Sequence, residues 1–408
     1  MKYNRLALAI GLVLSSPTGL LAETIEERLA RMEAKMAEMQ RNMDTQNATI
    51  KQQATTINEQ NTRLEGSPAR LRALAESMEE TQAAAAQDVS QAWYNKIELG
   101  GLLEVEAFYA SPYEGPNESD IVLSTFELGI ASQVTDWVEV GASLLYEEDA
   151  DLEVDVAFIT IANFEANPMF VTAGQIYVPF GAYETNMVSD PLTLDLGETR
   201  ETALQGGFVS GDFNGSVYIF NGDNDKDGKN QISSGGINLG FSRELGDGEI
   251  VAGAGYLSDL GDSDTLQDAI NDNQGDNDTD FVPAWTVNAI GRFGPFSLIG
   301  EYLAATKPFE ETALPWQDGG AKPAAWNLEV GYDFDWFRGS TVAIGYQGTR
   351  QALALELPKQ RFLATLSMEI YDSTALSLEW AYDEDYDINE GGTGNDANTF
   401  VAQLAVEF

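Results

Sequence analysis

The chain has 408 residues, a net charge of −44 at pH 7, and neither cysteine nor histidine. Without those side chains there can be no disulfide, no thiolate or Ser/His/Asp nucleophile and none of the common zinc sites, and the acidic excess argues against nucleic-acid binding. Carboxylate-only chemistry of the glycosidase kind stays open, but nothing in the sequence selects one pair of acids and no enzymatic activity is expected.

Lys2 and Arg5 precede the apolar run "LALAIGLVL", and small residues follow in "SSPTGLLA". This is the pattern of a secretory signal peptide over 1–22, cut after Ala22. No later stretch reaches the length of continuous apolar sequence that a membrane helix requires.

Residues 23–65 carry a heptad repeat. Leu29, Met36, Met43, Ile50, Ile57 and Leu64 form one seam, and Ile25, Met32, Met39, Gln46, Gln53 and Gln60 the second. Two seams in one register predict a coiled coil that needs partner helices, with the three glutamines tuning register or oligomer state. Gly66 and Pro68 end it, and a linker with a short Ala-rich helix occupies 66–95.

From 96 to 408 the period changes to two. In "IELGGLLEVEAFYA" one face holds Ile97, Leu99, Leu103, Val105, Ala107 and Tyr109, and the other Glu98, Glu104 and Glu106. Likewise Leu152, Val154, Val156 and Phe158 oppose Glu153 and Asp155. The alternation predicts strands near 97–110, 120–133, 137–148, 151–164, 169–180, 200–211, 213–222, 233–244, 248–259, 281–293, 295–306, 323–334, 339–351, 359–371, 373–384 and 397–408. Links after even-numbered strands are tight, as in "GDF" and "GDGE", whereas most others are long, as in "NGDNDKDGKNQ". About sixteen antiparallel strands with short turns at one rim and long loops at the other predict an all-β transmembrane barrel with its short rim periplasmic.

Aromatic residues mark both rims. Trp137, Phe164, Phe170, Phe213, Phe293, Phe296, Trp336, Phe337, Tyr371 and Phe408 fall at the short-turn side, and Tyr109, Tyr146, Tyr177, Phe220, Tyr256, Phe281, Tyr302 and Tyr382 at the other. Two such girdles suit the two lipid–water interfaces.

If the apolar face meets lipid, the opposite face lines a lumen. It carries Glu98, Glu104, Glu106, Glu127, Glu139, Glu153, Asp155, Glu201, Glu301, Glu329, Asp333, Glu369, Glu379 and Glu407, against only Arg292 and Arg361 as inward bases. Such a lining attracts cations and repels anions. The segment 179–202 joins strands five and six and mixes apolar with acidic residues, which suits either a loop folded into the pore or an external loop resting on its neighbours. Folded inward, it offers Glu184, Asp190, Asp195, Glu198 and Arg200 as selectivity residues. In "DNDKDG", Asp223, Asp225 and Asp227 have the spacing that opens a calcium loop, but Ser234 stands where a twelfth-position Glu belongs. A hydrated acidic turn and a weak calcium site in the extracellular loops are both open readings.

The coiled coil "EERLARMEAKMAEMQRNM", the strand opening "WYNKIELGGLLEVEA", the segment "GQIYVPFGAYETNMVSDPLTLDLGETRETALQGGF" and the last strand together resemble the LbtU family of siderophore porins. The resemblance implies a bacterial outer-membrane channel taking up ferric siderophore, trimeric, with its coiled coil in the periplasm. A general cation or nutrient porin and a structural envelope tether are the competing readings. The final "FVAQLAVEF" would place Phe400, Ala402, Leu404, Val406 and Phe408 in lipid and pair with the first strand to close the barrel.

Overall fold

A computed structural model describes residues 97–147, 151–224, 231–275, 279–336 and 338–408. The predicted signal peptide, coiled coil and linker helix lie outside them, as do Phe337, Asp225 and Asp227.

Sixteen antiparallel strands form a closed barrel. They are β1 (Ile97–Ser111), β2 (Glu118–Thr135), β3 (Val138–Glu147), β4 (Glu153–Asn163), β5 (Asn167–Tyr177), β6 (Arg200–Ser210), β7 (Phe213–Phe220) and β8 (Ser234–Leu245). The second half runs β9 (Gly248–Leu257), β10 (Ala284–Phe293), β11 (Phe296–Ala305), β12 (Ala324–Phe334), β13 (Ser340–Arg350), β14 (Gln360–Tyr371), β15 (Thr374–Glu384) and β16 (Asp396–Glu407). Each strand pairs with its neighbours in sequence, and β16 returns to β1, where Phe408 and Gly101 exchange backbone hydrogen bonds of 2.8 and 3.0 Å. Closure leaves no edge with unpaired backbone groups, the condition for crossing a bilayer with strands.

The turn chemistry explains the rims. Turns 211–212, 246–247 and 294–295 each begin with a glycine in the left-handed region, at φ 59°, 64° and 55°. Glycine at the first position of a two-residue turn matches the right-handed twist of the strands it joins. Connections at the opposite rim are long: 178–199, 221–233, 258–283 and 306–323 are the longest. Two carry helices, α1 (Leu192–Gly197) and α2 (Asp264–Gln274). Leu266 and Ile270, one helical turn apart, bury the inner face of α2.

Large apolar side chains such as Leu99, Ile121, Ile159, Met169, Leu239 and Ile344 point outward and stay exposed, as a lipid-facing surface requires. Inside the barrel, toward the long-loop rim, a second apolar cluster joins the wall to the loops. Phe180, Leu192, Leu196, Leu260, Leu266 and Leu314 meet Tyr218, Phe220, Leu257 and Leu303 of the strands. Three expected girdle or lipid-facing rings turn inward. Phe220 alternates with the exposed Ile219 and is 1% exposed. Phe170 covers Gly207, and Phe158 covers Gly141 because a bulge in β4 opposite Ser143 reverses the facing beyond Asp155.

Candidate functional site

The loop 178–199 is folded inside the barrel, and acids on the wall hold it there. Glu301 of β11 accepts the backbone N–H groups of Ala182 (2.8 Å) and Tyr183 (2.9 Å) and the hydroxyls of Thr193 (3.1 Å) and Thr286 (3.3 Å). Glu329 of β12 accepts the Thr185 hydroxyl (2.6 Å) and the Asn186 N–H (2.7 Å). Glu379 of β15 accepts the N–H groups of Val188 (2.6 Å) and Ser189 (3.0 Å), together with the Ser189 and Thr365 hydroxyls. Gln347 of β13 receives the N–H of Leu192 at 3.1 Å. Between these polar contacts Met187 sits among Ala343, Leu363 and Ala381.

These anchors assign roles that alternation alone does not. Glu301, Glu329 and Glu379 point inward as expected, yet they are buried under the loop and their charges are spent on its amides. A loop lying on the wall exposes N–H groups that have lost water, and a carboxylate with two oxygens satisfies them in pairs. Gln347, Thr365 and Met187 complete the seat without being legible as site residues. Their signal was the inward parity of their strands and the apolar Met187 inside a polar loop.

The remaining candidates divide by place. Glu184 pairs with Arg292, whose other neighbour is Glu249 at 4.0 Å. Arg361 is held by Asp383 through two hydrogen bonds of 2.8 and 3.0 Å. Both inward arginines thus have carboxylate partners. Arg200 does not belong to the loop: it opens β6 and reaches Glu153 at 2.6 Å and Asp155 at 3.2 Å on β4. Asp155 also accepts Ser143 and Tyr177 hydroxyls. Asp190 and Glu198 are buried within the loop, whereas Asp195 is only partly so. Glu201 faces inward beside Ile176, and Glu369 lies exposed near the short-turn rim.

Beyond these anchors the wall carries further acids. Strands β15, β16 and β1 to β5 stand side by side and contain no lysine or arginine. Their inward residues include Glu104, Glu106, Glu127, Glu139 and Glu147, the last not singled out by the sequence pattern. Gln403 of β16 donates to Glu106 at 3.0 Å.

In the outer loops Asp223 lies near a buried acidic pair. Asp259 accepts N–H groups of Val282 (2.7 Å) and Gly261 (3.1 Å) and the Asn224 amide (2.6 Å), while Asp262 accepts Ser234 (2.6 Å) and Asn224 N–H (3.0 Å). The cluster ties loop 221–233 to loop 258–283. Among the described residues no three carboxylates converge on a point that could hold a metal ion.

The architecture is that of solved porin barrels. The anion-selective porin of Comamonas acidovorans aligns with 76% of this chain and 99% of its own, at a TM-score of 0.55 and 12% identity. The outer-membrane channel DcaP of Acinetobacter baumannii aligns over 76% and 97%, at 0.53 and 13%. OprB of Pseudomonas putida aligns over 78% and 95%, at 0.56 and 10%. In sequence the chain is similar to UPF0422 proteins. One of Legionella pneumophila (strain Lens) is 30% identical over 358 residues, covering 76% of this chain and 66% of that protein. One of Coxiella burnetii is 32% identical over 318 residues, covering 73% and 66%. The chain spans just under two thirds of the length of these relatives. No family model matches it.

Proposed function

We propose that this chain is a bacterial outer-membrane porin that admits small solutes through a cation-preferring lumen narrowed by the loop 178–199. The observation that carries the reading is the distribution of charge once the loop is seated. Glu301, Glu329 and Glu379 are engaged by the loop, and seven contiguous strands, β15, β16 and β1 to β5, carry inward acids and no lysine or arginine of their own. Sixteen strands enclose an aqueous channel, and a wall of one charge sign surrounded by low dielectric raises the local concentration of counter-ions. The fold is shared with porins and outer-membrane channels rather than with an enzyme.

Uptake of a ferric siderophore, implied by the family resemblance, is a narrower form of this reading. An uncharged or cationic ferric complex suits such a wall, and a carboxylate-rich one meets repulsion with both inward arginines already engaged. Assembly as a homotrimer and a periplasmic coiled coil belong to the same proposal. Purified protein in planar bilayers under a potassium chloride gradient is the direct test: the reversal potential has the sign of cation preference. Anion selectivity overturns the reading, and labelled ferric-siderophore uptake in a deletion strain decides the narrower form.

A further inference from the structure

We propose that Lys307, Lys322 and Arg350 form a site for the phosphorylated headgroup of a lipid in the surrounding leaflet, on the outside of the barrel at its long-loop rim. The inference rests on the outer-membrane reading above and adds a lipid partner that the transport reading does not supply.

The bases of the barrel fall into two groups. Arg200, Arg243, Arg292, Arg338, Lys359 and Arg361 each form an ion pair with a carboxylate, as expected where acids are in such excess. Lys307, Lys322 and Arg350 are exposed and have no such partner among the described residues, although Glu310, Glu311 and Glu356 lie in the same loops. A shortage of acids therefore does not explain them.

The three are neighbours by register. Lys307 lies two residues beyond the end of β11, Lys322 two residues before the start of β12, and Arg350 ends β13. Ala304 pairs with Ala324 and Ala324 with Arg350, so the three strand ends are consecutive and span roughly 10 Å across the sheet. The Ala305 N–H donates to the Pro323 carbonyl at 2.9 Å and the Lys322 N–H to Gln351 Oε1 at 2.7 Å, which fixes the segments against one another. Arg350 shares the outward face with Trp326, and its guanidinium lies 5.7 Å from the centre of that ring. Stacking occupies one face of the guanidinium and leaves its in-plane N–H groups to bind an anion.

Directly beneath them the lipid-facing side carries a band of rings. Trp285 packs on Tyr302 with 5.3 Å between ring centres, Trp326 on Tyr346 with 6.3 Å, and Tyr346 on Phe362 with 5.0 Å. Such a band marks the lipid–water interface, and charged lipid headgroups lie on its water side. Toward the same rim β6, β7 and β8 present Leu204, Ile219 and Ile237 to lipid instead. The dense band and the unpaired cations thus coincide on one sector, β10 to β14. A phosphate accepts from a guanidinium through two oxygens and from an ammonium as a point charge, whereas an uncharged headgroup leaves the cations unmatched.

Binding of diphosphoryl lipid A to the purified full chain in detergent, read by native mass spectrometry, tests the site. Wild type is expected to retain this lipid in preference to its dephosphorylated form, and less of it as ionic strength rises. The combined variant Lys307→Gln, Lys322→Gln, Arg350→Gln should bind about tenfold more weakly or worse. Arg243→Gln with Arg338→Gln, at the short-turn rim, should leave binding unchanged. Heat-modifiable migration on gels reports whether each barrel has formed, and Lys322→Gln alone, expected to weaken binding in the same direction, replaces the combined variant if that one does not fold. Equal retention by wild type and variant, or of phosphorylated and dephosphorylated lipid, overturns the site. Complete displacement by inorganic phosphate overturns it too, since the ligand would then be a free anion. The reading beneath it is tested separately: Asp318→Cys puts a single thiol into loop 306–323 of a chain without cysteine, and a membrane-impermeant maleimide should label it on whole cells. No labelling of a barrel that has formed overturns the outer-surface reading, whatever the lipid assay gives.

Discussion

At the scale of single residues, the inward carboxylates do two different jobs. Glu301 is the clearest anchor, since four donors converge on it: two backbone N–H groups and two threonine hydroxyls. Removing an acceptor from buried donors costs more than the bond itself contributed, because the donors have no water to return to. Glu301→Ala is therefore expected to loosen 180–193 and lower barrel stability by about 2–4 kcal/mol. The loop's freedom should appear as noisier single-channel currents with a higher open level, and quiet currents at the wild-type level would show that the seat does not depend on Glu301. The sequence offered no way to separate Glu301 from Glu104. Both alternate inward from their strands, and only the side on which the loop lies decides which carboxylate meets amides.

At the scale of elements, strands and turns were legible and the interior was not. Every expected strand is present within a few residues, because a period of two with glycine-led turns is a local signal that needs no knowledge of distant contacts. Phe158 and Phe220 were misplaced for a non-local reason. A bulge reversed one, and loops filling the lumen gave the other an apolar neighbourhood inside the barrel. Helix α2 left a sequence trace in the spacing of Leu266 and Ile270, which its acidic surroundings obscured. The same loops carry a pH response. Burial, and next the Asp262 carboxylate, push the Asp259 pKa up to about 7. A carboxyl group whose pKa is higher in the folded loops than in the unfolded chain binds more protons when folded. Its stabilising contribution is complete at low pH and fades as pH rises toward 7. Limited proteolysis in 221–233 and 258–283 should thus be slower at pH 5 than at pH 8. Asp259→Asn, which keeps a hydrogen-bonding side chain and cannot ionise, should flatten that difference. A pH dependence that persists in the variant would assign it to other acids of these loops, Asp268 among them, whose pKa burial also raises.

At the scale of the whole molecule, a net charge of −44 is compatible with two explanations of acidity: a general solvating surface, or a field concentrated in the lumen. The barrel separates them, because the two respond differently to salt. Charges on the outer loops face bulk solvent, where the Debye length shrinks from about 10 Å at 0.1 M to about 3 Å at 1 M. Their influence on ions entering the pore should vanish over that range. Acids on the inner wall stand beside low-dielectric protein, and buried or partly buried charges are screened far less. If the preference originates in the outer loops, the potassium-to-chloride permeability ratio should approach the ratio of free mobilities by 1 M salt. If it originates in the wall of β15, β16 and β1 to β5, a clear cation preference should survive at 1 M, reduced but not abolished. The second outcome is expected here, since the base-free strands are contiguous and their acids line the inner wall. Reversal potentials measured at a fixed salt ratio and rising absolute concentration give the result directly, and complete loss of preference by 1 M would move the selectivity to the surface.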